Sequence, residues 1–317
     1  LFLFPEVMMQ IPASMASLTV KALAESLTLQ NLKMIADRLF DYYDFNKKTG
    51  FSYNLDIPRQ VAAKQLVSDV KDSGLFIKLV QVLVEMHTTG YMGKKYPIKY
   101  LKEIISLFRE KGIIYDMENR MFVEDPAIRR TKNWGTLSQG EQYQFALLRL
   151  DIAGNSKLVR EYPDEIIQAT YADFRDIVKE AVDKRNGRIW SWEGDGGLIA
   201  FFFSNKNLYA TFAGMDIVNQ LFMYNQTKCR LKQPLGVRIA VHSGLMDYTD
   251  NEEDLKRSDI IKTVTDIEAN HTTPNTLTVS DMVVKGFCKS MLEVFKPVIT
   301  GGSKTYYNYS LQWESAE

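Results

Sequence analysis

Apolar residues recur at helical spacing through the first third of the chain, whereas the second half sets short continuous apolar runs between amphipathic stretches. Leu32, Ile35, Ala36, Leu39, Phe40 and Tyr43 form one stripe of a helix. The segment FNKKTGFSYN interrupts it as a loop, and Pro58 then stands near the start of a helix carrying Val61, Ala62, Leu66 and Val70. Ser73 and Gly74 separate that helix from LFIKLVQVLVEMH, which is apolar nearly all round and is therefore expected to be central. A further helix over Ile98 to Lys111 ends at Gly112, and GIIYDMENRMFVE alternates as a small hairpin turning at Glu118 and Asn119. These elements predict a mainly helical, winged-helix-like domain over residues 1–124.

Residues 125–142 read as a linker, and a second domain is expected over 143–317. In the latter, Phe145, Ala146, Leu147, Leu148 and Leu150 predict a buried strand, Asp151 stands where it ends, and Gly154 lets the backbone turn. From Asp164 to Lys184 a helix presents Ile166, Ile167, Thr170, Tyr171, Phe174, Ile177, Val178 and Ala181 on one broad face, until Asn186 and Gly187 stop it. Strand-like runs at Arg188 to Trp192 and Leu198 to Phe203 flank Glu193, Gly194, Asp195, Gly196 and Gly197, a tight hairpin with Asp195 at its tip. Leu208, Phe212, Met215, Ile217 and Leu221 predict a second covering helix, and Val237 to Val241 a strand beside the first. The order strand, helix, strand, strand, helix, strand is an α+β fold with a ferredoxin-like βαββαβ core and its acids on one edge.

A length of 317 residues supports two domains, each with its own core. Lys+Arg and Asp+Glu both total 39, so no global charge points to nucleic acid or an acidic membrane. Lys99, Lys102, Arg109 and Lys111 are diluted by Glu103 and Glu110 into an ordinary solvated face, and nucleic acid is not an expected partner. Arg129, Arg130 and Lys132 lie in the linker, as part of a flexible connector or as a contact to the second domain. Cys229 and Cys288 have no ligand spacing and read as buried thiols of a reducing, cytoplasmic setting. The histidines, His87, His242 and His271, are too scattered for a zinc site. The opening LFLFPEVMMQIP is short and broken by Pro5 and Glu6, which fits neither a signal peptide nor a membrane span. It is expected to pack on the chain's own core or a neighbouring subunit, unless it is a tag or continues missing upstream sequence.

A strand-end carboxylate and a hairpin-tip carboxylate can converge on one cation, and magnesium takes few carboxylates while leaving positions for phosphate oxygens. Asp and Gly are also ordinary turn residues, so neither segment is decisive alone. Together, LLRLDIAGNSKL and IWSWEGDGGLIAFF on either side of one amphipathic helix resemble the class III nucleotidyl cyclases, the adenylate and guanylate cyclase catalytic domains. The likeness continues through LGVRIAVHSG to SDIIKTVTDIEANHTTPNTLTVSDMV and spans residues 143–317.

That resemblance implies two magnesium or manganese ions held by Asp151 and Asp195, and a triphosphate held by the backbone amides of Ile152, Ala153, Gly154, Asn155 and Ser156. The implied reaction is attack of a ribose 3′-hydroxyl on the α-phosphate of the same nucleoside triphosphate, releasing pyrophosphate, in a homodimer of catalytic domains. Two positions depart from the family pattern. Lys262 stands where an Asn orients the ribose, and Asp266 where an Arg stabilises the transition state, so Lys262, Arg238 or Lys304 is expected to supply the missing charge. At the base-reading position sits Ser191, between Trp190 and Trp192, which leaves the base open. The two tryptophans are expected on the same face of the strand, packing a sheet or dimer surface or stacking on a base. The WSWEGDGG pattern resembles a bacterial branch that includes relatives of the pyrimidine cyclases of anti-phage signalling. The competing expectations are a catalytically degenerate domain that senses nucleotide, and an assembly module whose N-terminal domain docks a protein partner.

Overall fold

Side-chain caps open two helices in the first half of the chain. In the computed structural model, which describes residues 11–299 and 305–311, the chain divides into two units, Leu1–Ser138 and Gln139–Glu317. The first holds α1 (Ala13–Ser26), α2 (Leu29–Leu39), α3 (Phe45–Thr49), α4 (Arg59–Asp72), α5 (Phe76–Thr88) and α6 (Leu101–Glu110). The antiparallel hairpin β1 (Ile113–Asp116) and β2 (Met121–Glu124) follows. Thr28 and Asn31 form a capping box at the start of α2. The expected loop at 45–54 contains α3, because the Asp44 carboxylate accepts from the amides of Asn46 and Lys47 at 2.9 and 3.2 Å and Gly50 closes the turn at φ +77°. α6 starts later than the apolar spacing predicts, since Tyr100 takes a left-handed φ of +59°.

α5 buries Phe76, Leu79, Val80, Val82, Leu83, Val84 and Met86, the central place its composition predicts. Phe108 of α6 is fully buried, its ring 4.7 Å from Phe122 and 6.2 Å from Phe76. Phe108→Ala is expected to cost about 3–5 kcal/mol, because the neighbouring rings collapse only partly into the space left. Chemical denaturation of the variant beside the parent checks this. Residues 125–138 fold onto the same unit instead of forming a free connector. The buried Glu124 carboxylate accepts from the amides of Arg130 and Thr131 at 2.9 and 3.1 Å, and Trp134 and Leu137 are fully buried.

The second unit holds β3 (Gln142–Ile152), α7 (Asn155–Glu161), α8 (Asp164–Asp183), β4 (Arg188–Glu193), β5 (Gly196–Phe201), α9 (Lys206–Thr227) and β6 (Val237–Asp247). It continues through α10 (Glu252–Arg257), α11 (Asp259–His271), β7 (Thr276–Ser280), α12 (Asp281–Val284), α13 (Lys289–Glu293), β8 (Lys296–Ile299) and β9 (Thr305–Ser310). Among the described residues these strands form one sheet in the order β4-β5-β3-β6-β7-β9-β8. The run β3-α8-β4-β5-α9-β6, with β3 antiparallel to both β5 and β6, is the ferredoxin-like core of an α+β unit.

Alternation along β3 gives the sheet two different faces. Ala146, Leu148, Leu150 and Ile152 pack with Phe174 and Val178 of α8 and with Ala210, Ala213, Ile217 and Leu221 of α9. Phe212 lies off that face and is exposed, because small residues, Ala210, Ala213 and Gly214, bring α9 close to the sheet. The opposite face, which carries Leu147, Arg149 and Asp151, is covered by α11 over β6 and β3.

A bulge between Ile189 and Ser191 overturns the expected shared face of the tryptophans. Trp190 packs against Phe145 and Tyr248 on the α11 side, with ring centroids 4.9 and 5.9 Å away. Trp192 packs on the other side against Phe174 of α8. The cysteines are free thiols, and only their burial differs from expectation: Cys288 is exposed and Cys229 is half-buried. No helix among the described residues is long and apolar enough to cross a membrane. Most of the apolar opening, residues 1–10, and Lys304 lie outside the described residues.

Candidate active site

Asp151 is the penultimate residue of β3, and register places it directly opposite Gly196 on one side and Arg238 on the other. β4 and β5 are joined by a two-residue turn, Gly194-Asp195, in which Gly194 takes φ +57°, the position where a hairpin turn favours glycine. The Ile152 amide donates to the Asp195 carbonyl at 3.2 Å, which ties the turn to the end of β3, and the Trp192 indole donates to the Gly194 carbonyl at 3.2 Å within the hairpin itself. Asp151 and Asp195 are thereby brought together. Burial pushes the Asp151 carboxyl above its ordinary range, the charge of Asp195 pushes it further, and Arg238 offsets part of the effect.

Glycine at 196 makes room for this. A Cβ there would stand 2.7 Å from the Leu150 carbonyl oxygen and 2.9 Å from Oδ1 of Asp151. Arg238 donates from Nη2 to Asp151 at 2.8 Å and from Nε to Glu268 of α11 at 2.7 Å. Its guanidinium is therefore engaged by two carboxylates beside the acid pair. Glu268 gave no signal in the sequence, because it meets Arg238 only when α11 folds over the sheet. Its carboxyl is pushed up by burial, against the pull of Arg238.

The segment 152–156 is only partly available to a ligand. The Ile152 amide is used by Asp195 and the Ala153 amide by the Gly236 carbonyl at 2.9 Å. Among the described residues the amides of Gly154, Asn155 and Ser156 have no such backbone acceptor. Gly154 at φ +71° turns the chain into α7, and the Tyr171 hydroxyl of α8 donates to the Asn155 side chain. Burial raises the Tyr171 phenol, and the charges of Asp195 and Asp151 raise it further, which sets the tyrosine beside the same pair.

Lys262 and Asp266 are exposed on α11 and do not join the acids within this chain. Lys262 lies 3.4 Å from Asp259, and Asp266 accepts from Asn270 at 2.8 Å. Ser191 does share the face of Asp151: it pairs with Leu198, which pairs with Arg149, so these three form a row across β4, β5 and β3. Trp190 is 2 % exposed and walled in by aromatic rings, which leaves it no face for a base. Trp192 is occupied by Phe174 and by the Arg175 guanidinium, 5.1 Å from its ring.

Two carboxylates are what a magnesium or manganese ion takes when phosphate oxygens complete its shell. Among the described residues no group of three or more His, Cys, Asp or Glu side chains forms a metal cage. The acid pair fits a cation shared with a phosphorylated ligand better than a fully enclosed one. A half-buried negative charge of this kind, only partly offset by Arg238 and Arg149, favours a divalent ion electrostatically.

No protein-family profile matches the chain, and no curated protein does. Solved structures of cyclases are similar to part of it. The guanylyl cyclase Cya2 matches at 18% identity and TM-score 0.46, covering 56% of this chain and 97% of its own. The adenylyl cyclase CyaB from P. aeruginosa matches at 14% identity and TM-score 0.44, covering 54% and 96%. An adenylate/guanylate cyclase/hydrolase from Silicibacter pomeroyi matches at 19% identity and TM-score 0.44, covering 54% and 99%.

Proposed function

We propose that the C-terminal unit is a nucleotidyl cyclase, converting a nucleoside triphosphate to a 3′,5′-cyclic nucleotide and pyrophosphate with magnesium or manganese. The observation that carries this reading is the meeting of Asp151 and Asp195 at the end of β3, with the Asp151 carboxyl burdened by burial and by its neighbour's charge. Asp151 and Asp195 would hold the divalent ions, whose charge would acidify the 3′-hydroxyl and stabilise the departing phosphates. Arg238, anchored by Glu268, fixes the orientation of the Asp151 carboxylate. The free amides of Gly154, Asn155 and Ser156 donate to the phosphate chain, and Ser191 lies on the face that meets the base. In a homodimer, Lys262 of α11 is exposed where it can serve the site of a neighbouring copy.

Incubating the purified chain with ATP, GTP, CTP or UTP and magnesium or manganese, and following cyclic nucleotide and pyrophosphate, tests the proposal. Both pyrimidines belong in the panel because WSWEGDGG resembles the pyrimidine-cyclase branch of anti-phage signalling. Turnover is expected with at least one nucleotide and is expected to stop on chelation of the metal. Tyr171→Phe frees the Asn155 side chain, and a rise of about 3- to 10-fold in KM for nucleotide is expected, the loss of one hydrogen bond. Steady-state kinetics on the preferred nucleotide checks it.

A second reading is favoured by Asp266, an acid where the resemblance calls for a transition-state cation, held within its own helix by Asn270. The unit would then sense nucleotide without turning it over. Absence of product with a nucleotide-dependent rise in melting temperature would select that reading over catalysis.

A further inference from the structure

Arg149 is the charged residue inside the apolar run of β3, two residues before Asp151 and on the same face, about 7 Å along the strand. Its row neighbours are Leu198 and Ala240, both buried, so the side chain rises from an apolar floor. Three acids surround it closely enough to feel its charge, Asp151, Glu193 and Glu268. Each is already paired with another base. Asp151 and Glu268 share Arg238 at 2.8 and 2.7 Å, and Glu193 takes Lys256 at 2.8 Å. Arg149 makes no ion pair with any of them, and its Nε is buried without a hydrogen-bond partner.

Sequence position and packing do not account for this residue. A buried guanidinium nitrogen without an acceptor is costly, and in folded proteins such groups are usually satisfied. The two terminal nitrogens of a guanidinium form a planar fork that matches two oxygens of a phosphate group, a geometry that a lysine cannot reproduce. Strand β3 sets Arg149 one row behind Asp151 on the same face, where its charge would add to that of a cation held by the acid pair in binding a phosphate chain.

We propose that Arg149 is a phosphate-binding residue of this site, donating through its terminal nitrogens to the phosphate chain of a nucleoside triphosphate. It supplies within the same chain the positive charge that Asp266 does not. The inference rests on the nucleotide site described above, and its test separates the two.

Calorimetric binding of inorganic tripolyphosphate in magnesium is measured for the parent, Arg149→Lys and Arg149→Met, alongside turnover on the nucleotide panel. The expected result is tripolyphosphate binding by the parent, weakened at least about tenfold in Arg149→Met and only partly restored in Arg149→Lys. A fall of about 100-fold in kcat is expected for Arg149→Met, with base preference unchanged. Equal tripolyphosphate affinity in the parent and Arg149→Met, or none in the parent, overturns the assignment whatever the turnover. Loss of binding in Arg149→Met while the parent turns over no nucleotide retains Arg149 and removes the cyclase reading. Should Arg149→Met not fold, as judged by circular dichroism, Arg149→Lys carries the test, because it keeps the charge and loses only the fork.

Discussion

Asp151→Asn and Asp195→Asn are each expected to lower metal-dependent nucleotide turnover by about 1,000-fold or more. The reason is that an amide is a poor ligand for a hard divalent cation, while its shape matches the carboxylate it replaces. Neither change should unfold the unit. For Asp151 a sharper expectation follows from its environment. Burial and Asp195 together raise its carboxyl above the ordinary range despite Arg238, so the charged form is disfavoured by folding at neutral pH. Replacing it with a neutral isostere relieves that penalty. The metal-free melting temperature of Asp151→Asn is therefore expected to equal or exceed that of the parent, and the rise in melting temperature on adding magnesium and nucleotide should vanish. Differential scanning calorimetry with and without ligands, beside the kinetic assay, reads both. Turnover at the parental rate in either variant would be fatal to the two-carboxylate assignment.

Gly196→Ala is expected to give the second-largest loss, about 100-fold in turnover with about 1–3 kcal/mol of stability. The added Cβ would lie 2.7 Å from the Leu150 carbonyl oxygen, and that oxygen belongs to the backbone of β3. It cannot swing aside as a side chain could. Either the rungs Leu150 to Gly197 and Asp151 to Gly196 loosen, or the Asp151 carboxylate, 2.9 Å from the same Cβ, is displaced. Both moves misplace an oxygen that must hold a cation. Gly154→Ala provides the contrast: its Cβ would meet nothing within 4 Å, and its cost of about 1 kcal/mol comes from the backbone at φ +71°. If Gly196→Ala retains parental activity, Asp151 is not held as tightly as its surroundings indicate. Titrating magnesium in the assay distinguishes a displaced ligand, which raises the metal requirement, from general loosening of the sheet.

The places of Asp151, at a strand end, and Asp195, at a hairpin tip, were legible from apolar patterning and turn residues, whereas reading them as one site came from resemblance to a known family. The core order β3-α8-β4-β5-α9-β6 was legible because its helices and strands have distinct periods. Trp190 and Trp192 were not. Two residues apart in a regular strand they share a face, but the bulge opposite Leu198 and Ile199 inserts Trp190 as an extra residue and turns the rings to opposite sides. The phosphate segment was legible as a turn at Gly154, but which amides it leaves free depends on the Asp195 and Gly236 carbonyls that take two of them. Arg149 stood in plain view as a charge in FALLRLD, with no local signal of which acids surround it or which bases have already claimed them.

Local spacing of apolar and turn-forming residues thus gave α2, α4, α5 and α6 of the first unit, the order β3-α8-β4-β5-α9-β6 of the second, and the placing of Asp151 at a strand end and Asp195 at a hairpin tip. Only the tertiary structure decided which side chains share a face, that Glu268 holds Arg238 against Asp151, and that Arg149 is left without an acceptor. The physical reason is that periodicity acts between residues a few positions apart, whereas register, bulges and ion-pair choice are settled by partner strands and helices 30 to 87 residues away.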